Sequence, residues 1–156
     1  MDIRRVQDDE VEQFVDDLWH PFSREMADLD PYNALADGIR EAEVAFRREQ
    51  FNDDDIATFV ADDDGTFAGY TAVEYEDSAS VFARGPKANI NDVYVVPEYR
   101  GNGLADGLME RAERWAADRG CEYVSLSVNV DNETARRVYE SRGYATRRLK
   151  MDKRID

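Results

Sequence analysis

Two glycines between an apolar stretch and a helical stretch form the first feature of the sequence that could do chemistry. Gly101 and Gly103 lie two residues apart, and they leave the backbone of a turn bare, so that its N–H groups can approach a ligand closely. The helix that follows directs its unpaired N–H groups and the positive end of its dipole at the same place. The order of a strand, a bare turn and the beginning of a helix predicts a site for a phosphate-rich ligand. An ordinary strand-to-helix turn is the alternative that the same residues allow.

The elements that flank this turn follow from the pattern of apolar residues. A β-branched run ended by a proline predicts a mostly buried strand over residues 90–96. The helix after the turn is predicted to run to about Arg119, where Gly120 is the expected stop. Its inward residues are apolar and spaced for one helix face: Leu104, Leu108, Ala112, Trp115 and Ala116.

Upstream, the sequence predicts a short strand and two helices. The strand covers residues 3–6, and Asp8 or Asp9 then caps a helix. The apolar residues of this first helix form one stripe: Val11, Phe14, Val15, Leu18 and Trp19. His20–Pro21 is expected to end or kink the helix. A second helix is predicted to begin near Asp30–Pro31, with the inward residues Leu35, Ile39, Ala42 and Phe46.

The remaining segments alternate strands and one further helix. Strands are predicted over residues 56–61, 66–76, 123–128 and 144–152, the last segment forming one or two closing strands. The sequence Asp62-Asp63-Asp64-Gly65 is a hairpin signal, and Asp131 or Asn132 is expected to cap the last helix. Because there is no repeat, linker or low-complexity segment, residues 1–156 are expected to form a single α/β domain with a mixed sheet.

Composition and charge argue against several classes of protein. The net charge of −15 argues against nucleic acid as a partner, and no run of about 18 apolar residues is present that could span a membrane. The N-terminal residues lack the apolar region of a secretory signal. The single cysteine, Cys121, cannot form an internal disulfide, which favours a reducing cytoplasm. One cysteine and one histidine, His20, also argue against a transition-metal site.

The excess of acidic residues has its own interpretation. Acidic residues outnumber basic ones by 35 to 20, and they cluster at predicted turns and helix ends. Lysine is rare beside arginine. This composition resembles that of proteins from salt-loving archaea, in which concentrated salt screens charge repulsion over a short distance. We therefore interpret the acidity as solvation in brine rather than as an acidic site for a cationic substrate.

Two segments resemble the motifs of GCN5-related N-acetyltransferases. The family signature Q/R-x-x-G-x-G/A is matched by Arg100, Gly103 and Ala105, and the downstream motif N-x-x-A…Y…G-F/Y by Asn132, Ala135, Tyr139, Gly143 and Tyr144. The resemblance is close over residues 90–145. It implies an α/β fold with a mixed central sheet of about six to seven strands and about four helices on both faces. It also implies a V-shaped split between the two parallel central strands.

The resemblance further implies acetyl-CoA as the cosubstrate, with no metal. Backbone amides of the Arg100–Ala105 turn would hold the pyrophosphate, and residues 93–95 would pair with the pantetheine arm. Tyr139 would protonate the leaving thiolate as a general acid. The full set of implied cofactor-binding residues is Val93, Tyr94, Val95, Arg100, Gly101, Asn102, Gly103, Leu104, Ala105, Asn132, Ala135 and Tyr139.

The reaction implied by the family is direct attack of a neutral primary amine on the acetyl carbonyl, in a ternary complex. A backbone N–H near Val95 would polarise the carbonyl. Asp92 or Glu74 could remove the ammonium proton, directly or through water. The alternative for Asp92 is a surface or sheet-edge carboxylate with no role in the reaction. Asn89 and Asn91 stand where some relatives carry a catalytic glutamate. A water-relayed base, or no single base, is therefore also consistent with the sequence.

Other interpretations remain open at this point. The stretch Gly101–Gly107 also fits a dinucleotide-binding pattern, but a Rossmann fold leaves the upstream hairpin unexplained. A non-catalytic acyl-CoA-binding or sensor module on the same fold is a second alternative. The basic C-terminal residues could be a solvated face or attract phosphates or an acidic partner, and the closing strands could form a homodimer. No motif identifies the amine acceptor, which could be a small molecule or a peptide amine.

Overall fold

A mixed five-stranded sheet forms the centre of the computed structural model, which describes residues 1–156. The strands lie in the order of the chain: β1 (Asp2–Arg5), β2 (Ile56–Asp63), β3 (Thr66–Glu76), β4 (Lys87–Val95) and β5 (Tyr123–Leu126). Neighbours from β1 to β4 are antiparallel, whereas β4 and β5 are parallel. The mixed α/β class is therefore confirmed.

Helices cover both faces of this sheet. The helices are α1 (Val11–Phe14), α2 (His20–Leu29), α3 (Arg40–Phe51), α4 (Leu104–Asp118) and α5 (Glu133–Ser141). A π turn over Val15–Trp19 joins α1 to α2, so the chain has four separate helices. On β2, Val60 packs with α1 and α3 while its neighbour Phe59 packs with α4, as the two-residue period of a strand requires. None of the helices combines the length and the apolar character that crossing a membrane demands.

The prediction of six to seven strands is wrong, because the C-terminal residues add none. Residues 145–156 have no regular structure, and each of them is exposed. A strand forms only where it pairs with another strand, and residues 145–156 pair with none in this chain.

Pro21 does not end the first helix, which was one of the two outcomes expected from the sequence; the helix is instead distorted just before it. A proline lacks an N–H group and clashes with the carbonyl four residues before it. The chain resolves this conflict by widening its turn just before Pro21, where the His20 N–H donates to the Val15 carbonyl, five residues back. The helix then continues to Leu29.

The second predicted helix begins later and faces differently. Asp30 caps only a short 3₁₀ turn, by accepting a hydrogen bond from the Tyr32 N–H, and α3 begins at Arg40. The buried residues of α3 are Val44 and Arg47. The residues expected to face inward line an open apolar groove of about 370 Å³ on the outside instead: Leu35, Ile39, Ala42 and Phe46. The apolar spacing was misleading because one of the inward positions is occupied by an arginine.

A β-bulge in β4 positions the side chains of the candidate site. Ala72 of β3 pairs with Asp92 and Val73 pairs with Ile90, which leaves Asn91 as the extra residue. The Thr71 hydroxyl fixes the bulge by donating to the Asp92 carbonyl oxygen at 2.9 Å. A bulge of this kind re-aims the side chains that follow it.

Pairing between β4 and β5 is short. It begins at Lys87 with Tyr123 and ends at Ile90 with Leu126, whereas β4 continues to Val95. The last part of β4 therefore has a strand neighbour only on the β3 side.

Gly69 allows the end of β4 and helix α4 to come close to β3. A Cβ atom at this position would lie 2.6 Å from the Tyr94 carbonyl oxygen and 3.3 Å from a methyl group of Leu108. We expect Gly69→Ala to lower the free energy of unfolding by about 2 kcal/mol, because the backbone has to shift to relieve the overlap. Urea denaturation measures this change.

Gly107→Ala is the matched control for that substitution. The added methyl group would meet only the flexible end of Ile3, at 3.2 Å, and alanine favours a helix over glycine by about 1 kcal/mol. Equal losses of stability in the two variants would contradict the close approach described for Gly69.

Candidate active site

The turn between β4 and α4 has two positions whose backbone conformation only glycine adopts easily. A 3₁₀ turn over Pro97–Tyr99 leads into Gly101 with φ of +82° and Gly103 with φ of +77°. A Cβ at either glycine would contact nothing within 4 Å. Glycine is therefore required here by the backbone conformation, and the space above the turn is open.

Six consecutive backbone N–H groups are free at this turn. The first amide to donate inside the helix is that of Gly107, which reaches the Gly103 carbonyl at 3.1 Å. The N–H groups of Gly101–Asp106 donate to no other group of the chain. The positive end of the α4 dipole lies at the same place. Free N–H groups in this arrangement bind anions, and phosphates above all.

Arg100 anchors the turn through its side chain. Its Nε donates to the Val95 carbonyl at 2.9 Å, and Nη2 pairs with Glu25 of α2 at 2.8 Å. The guanidinium also lies over the ring of Tyr94, 5.7 Å from its centroid. The charge of Arg100 is thus paired within the chain, and its side chain joins the turn to β4 and α2.

The strand residues predicted to contact the cofactor lie at the free end of β4. Tyr94 is buried among the α1 side chains, Val95 packs against Leu108 of α4, and Val93 is half-buried toward α4. Their side chains are therefore committed to the core, and only their backbone groups are available to a ligand on the side away from β3.

Helix α5 carries the downstream motif, and its residues Val138 and Tyr139 pack on the α4 side of the sheet. Asn132 caps the helix, where its Oδ1 accepts a hydrogen bond from the Ala135 N–H at 3.2 Å. Tyr139 packs edge to face on Tyr144, with ring centroids 6.2 Å apart. Burial raises the pKa of Tyr139, and the negative charge of Asp92 raises it further. The raised pKa favours the protonated form of the Tyr139 phenol, and Asp92 is the charged group that acts on it.

Asp92 belongs to a buried polar group that sequence reasoning missed. Arg47 of α3 is only 6% exposed, and it donates to Asp92 Oδ2 at 3.2 Å and to Glu43 at 2.6 Å. Its guanidinium also lies over the ring of Phe14. Asp92 Oδ1 accepts no hydrogen bond from the chain. One oxygen of the carboxylate is therefore fixed by Arg47, and the other is available.

Tyr70 of β3 completes this group. Its hydroxyl is fully buried and lacks a partner at hydrogen-bonding geometry. Burial raises the pKa of Tyr70 well above its usual value, and the nearby charge of Asp92 adds to this effect. The sequence offered no signal for Arg47 or Tyr70, because an arginine in a helix usually faces solvent and a tyrosine in a strand usually belongs to the core.

Glu74, the other candidate base, lies beside the bulge. The Asn91 side chain donates to Glu74 Oε1 at 3.2 Å, and the Asn89 side chain donates to Asn91 at 2.7 Å. These three side chains are connected to one another and share the more open part of the sheet face.

Two further features of the molecule complete the description. A pocket of about 410 Å³ adjoins the turn on its β1 side, where it is lined by the turn residues Asn102, Gly103 and Leu104 together with Met1 and Ile3. Cys121 is half-buried, burial raises the pKa of its thiol, and no cluster of three or more metal-ligating side chains occurs.

Comparison with solved structures identifies the fold. An aminoglycoside N-acetyltransferase in complex with CoA superposes with a TM-score of 0.74 at 21% identity, covering 99% of this chain and 93% of that one. A protein from Clostridium acetobutylicum, described as a predicted acetyltransferase and solved with acetyl-CoA, gives a TM-score of 0.76 at 18% identity, covering 97% and 95%.

Comparison of sequences agrees with the fold. An uncharacterized N-acetyltransferase of Archaeoglobus fulgidus is 30% identical over 145 residues, which are 90% of each chain. An aminoglycoside N(6')-acetyltransferase of Salmonella enteritidis is 24% identical, over 92% of this chain and 91% of the relative. The model of the Acetyltransferase (GNAT) family matches residues 11–144. This protein therefore belongs to the GNAT acetyltransferase family.

Proposed function

We propose that this protein transfers an acetyl group from acetyl-CoA to a primary amine by direct attack in a ternary complex. The observation that carries the proposal is the run of six free N–H groups over Gly101–Asp106 at the start of α4. An acidic protein of net charge −15 repels a polyanionic cofactor at long range, so it needs a local site of this kind to bind one. The names of the similar proteins, which include N-acetyltransferases of several amines, support the same activity.

The cofactor is proposed to lie along the free edge of β4. The N–H groups of Gly101–Asp106 hold its pyrophosphate, and backbone groups of Val93–Val95 receive its pantetheine arm. The strand pairing that ends at Ile90 and Leu126 supports the V-shaped split that the family resemblance implies. Asn132 and Ala135 are proposed to contact the cofactor from the opposite side, at the start of α5.

Tyr139 is proposed as the general acid. Its phenol stays protonated because burial and the charge of Asp92 both raise its pKa, so it can donate a proton to the thiolate that leaves. A backbone N–H near Val95 polarises the acetyl carbonyl and stabilises the negative charge that develops on its oxygen.

Asp92 is proposed to accept the proton of the attacking amine, directly or through one water. Arg47 fixes its Oδ2 and leaves Oδ1 free, and the charge of Asp92 acts on Tyr139. Glu74 is the weaker candidate, since its side chain is engaged with Asn91. We infer that the protein works in concentrated salt, and its assays should therefore compare molar potassium chloride with the lowest salt concentration at which the protein stays folded.

The proposed pyrophosphate site at the turn can be tested by adding one negative charge there. Asn102 is exposed, next to Gly103, and Asn102→Asp keeps the size of the side chain. We expect the KM for acetyl-CoA to rise about tenfold at low salt. Repulsion between the new carboxylate and the pyrophosphate over a short distance costs about 1.4 kcal/mol, which corresponds to this factor. Steady-state kinetics with a panel of amine acceptors measure it.

Asn52→Asp is the matched control, because it adds the same charge at the far end of α3. Its KM for acetyl-CoA should stay within about twofold of the parent value. A tenfold rise in both variants, or in neither, would contradict a pyrophosphate site at the turn.

The role of Tyr139 predicts a loss of turnover on removal of its hydroxyl. Tyr139→Phe should lower kcat about 100-fold with little change in the KM for acetyl-CoA. Tyr144→Phe is the control, since it removes the hydroxyl of the packed neighbour, which donates to Glu113 at 2.7 Å. Unchanged turnover in Tyr139→Phe would exclude the acid role.

The same assignment predicts the alkaline limb of the pH profile. A general acid is active while protonated, and the pKa of Tyr139 is raised above its ordinary value. Turnover should therefore persist up to about pH 10 and decline only above it. A decline that begins near pH 8 would show that another group, and not Tyr139, supplies the proton.

The two candidate bases can be separated by matched substitutions. Asp92→Asn should lower kcat about 100-fold at neutral pH, whereas Glu74→Gln should change it by less than about threefold. Arg47 keeps its second partner, Glu43, in the first variant, and thermal denaturation checks that both variants remain folded. The opposite ranking would assign the proton transfer to Glu74.

Binding of CoA without acetylation of any amine in the parent protein would favour a sensor module instead.

A further inference from the structure

Two arginines on the β1 side of α4 lie against one buried aromatic ring. The guanidinium carbon of Arg5, in β1, is 5.7 Å from the centroid of the Phe59 ring, and that of Arg111, in α4, is 4.9 Å from it. Phe59 is only 2% exposed. A ring in this position attracts a guanidinium and fixes its orientation. Two positive charges are therefore held at one place, and β2 and β3 separate β1 from the candidate active site on β4.

Neither of these two charges has a partner in the chain. Arg5 and Arg111 form no salt bridge, and their side chains donate no hydrogen bond within the chain. Five other arginines are at least partly buried, and each of them donates to a group of the chain: Arg4, Arg47, Arg119, Arg136 and Arg142. Carboxylates are abundant, since 35 acidic residues face 20 basic ones. The pair is thus an exception to the way in which this protein treats its arginines.

The lack of a partner is electrostatically unfavourable. The Nε atom of Arg111 is fully buried and has no acceptor. Partial burial lowers the pKa of Arg5, and the positive charge of Arg111 lowers it further. A buried donor and two neighbouring like charges are costly unless an anion compensates them. An anion bound beside both guanidinium groups would remove the repulsion between them.

The pair lies next to the pocket on the β1 side of the turn. Ile3 and Gly107 line that pocket, and a Cβ on Gly107 would lie 3.2 Å from Ile3 Cδ1. Arg5 follows Ile3 by two residues and lies on the same side of β1. Arg111 follows Gly107 by four residues and lies one turn further along the same face of α4. Both arginines keep exposed surface, so a ligand can reach them from solvent.

This position is distinct from the proposed pyrophosphate site. Arg111 comes eight residues after Gly103, and the rise of the helix makes this separation about 12 Å along α4. The free N–H groups of the turn end at Asp106. An anion at the arginine pair therefore does not use the donors that are proposed to bind acetyl-CoA.

We propose that Arg5 and Arg111 bind the phosphate group of a small molecule, at a site separate from that of acetyl-CoA. A phosphate dianion carries two negative charges, which match the two guanidinium groups, and each guanidinium can donate two parallel N–H bonds to its oxygens. Partly buried charges are screened less than exposed ones, so the site keeps its affinity in salt. The apolar pocket beside Ile3 has room for the organic part of a phosphate ester. The proposal does not rest on the acetyl-transfer activity.

The test is a titration of the ¹⁵N-labelled full chain with inorganic phosphate and with phenyl phosphate, against potassium chloride of equal ionic strength. Two-dimensional NMR separates the pair from the turn, because the amide of Phe59 reports on the first and those of Gly101–Asp106 on the second. We expect the Phe59 amide to shift in a saturable way with at least one probe. Arg5→Gln and Arg111→Gln should each raise the dissociation constant read at Phe59 by about tenfold or more. No shift at Phe59 with either probe overturns the proposal.

Arg114→Gln is the matched control. Arg114 is exposed on the same helix, three residues after Arg111, and its substitution removes the same charge. The dissociation constant read at Phe59 should stay within about twofold of the parent value. An equal increase in Arg111→Gln and Arg114→Gln would mean that the charge of the helix alone attracts phosphate, and it would overturn the site.

Thermal denaturation gives a second test that does not depend on NMR. Arg111→Met keeps the length of the side chain and removes the unpartnered donor. Without phosphate it should be at least as stable as the parent protein, because the repulsion from Arg5 is gone. Phosphate should raise the Tm of the parent and leave that of Arg111→Met unchanged, since only the parent binds it. An equal rise in both proteins contradicts the proposal.

Two comparisons identify the source of the phosphate and the independence of the site. Tighter binding of phenyl phosphate assigns the organic part to the apolar pocket, whereas equal affinities show that the phosphate group alone is recognised. Saturating CoA should change the dissociation constant read at Phe59 by less than about threefold. If CoA displaces phosphate from the pair, the two arginines belong to the cofactor site, and the separate site is wrong. Phosphate binding at the pair without any acetyl transfer would contradict the proposed function alone.

Discussion

The site depends on one constraint, which is that β4 has two strand neighbours for only part of its length. Pairing with β5 ends at Ile90, yet β4 continues for five more residues to Val95. Backbone groups without a partner are costly unless water or a ligand satisfies them. The free edge of β4 therefore remains available for an extended ligand, and the turn that follows delivers six free N–H groups to the end of the same edge. One strand thus organises both ends of the proposed cofactor site.

The opposite face of the sheet is fixed by a buried charge. Arg47 brings a guanidinium into the contact between α3 and β4, where Asp92 and Glu43 neutralise it. Burying such a group is expensive, and an apolar residue of similar size would often serve stability as well. What the arginine adds is orientation, because it holds one oxygen of Asp92 and leaves the other without a hydrogen bond. The bulge at Asn91 shifts the register of β4 directly before Asp92.

Local chemistry made part of this structure predictable. The glycines of the turn, the hairpin Asp62–Gly65 and the cap at Asn132 each act within a few residues, and each was found where the sequence placed it. The apolar face of α4 also followed from its spacing.

Long-range effects explain what the sequence did not show. The inward face of α3 was misassigned because Arg47, which is buried only through its partners, interrupts the apolar pattern. The closing strands were expected from alternation, but strand pairing is decided by what lies beside a segment, and residues 145–156 pair with no strand of this chain. Arg47 and Tyr70, the buried neighbours of Asp92, are distant from it in sequence and meet it only in the fold.

The central claim is that the free N–H groups of the turn bind the pyrophosphate of acetyl-CoA. A titration of the ¹⁵N-labelled protein with CoA, followed by two-dimensional NMR, tests it at the level of single amides. The account predicts that the largest shifts fall on Gly101–Asp106 and on Val93–Val95. Shifts that centre instead on Met1 and Ile3, in the pocket on the β1 side of the turn, would contradict it, as would the absence of any shift at saturating CoA.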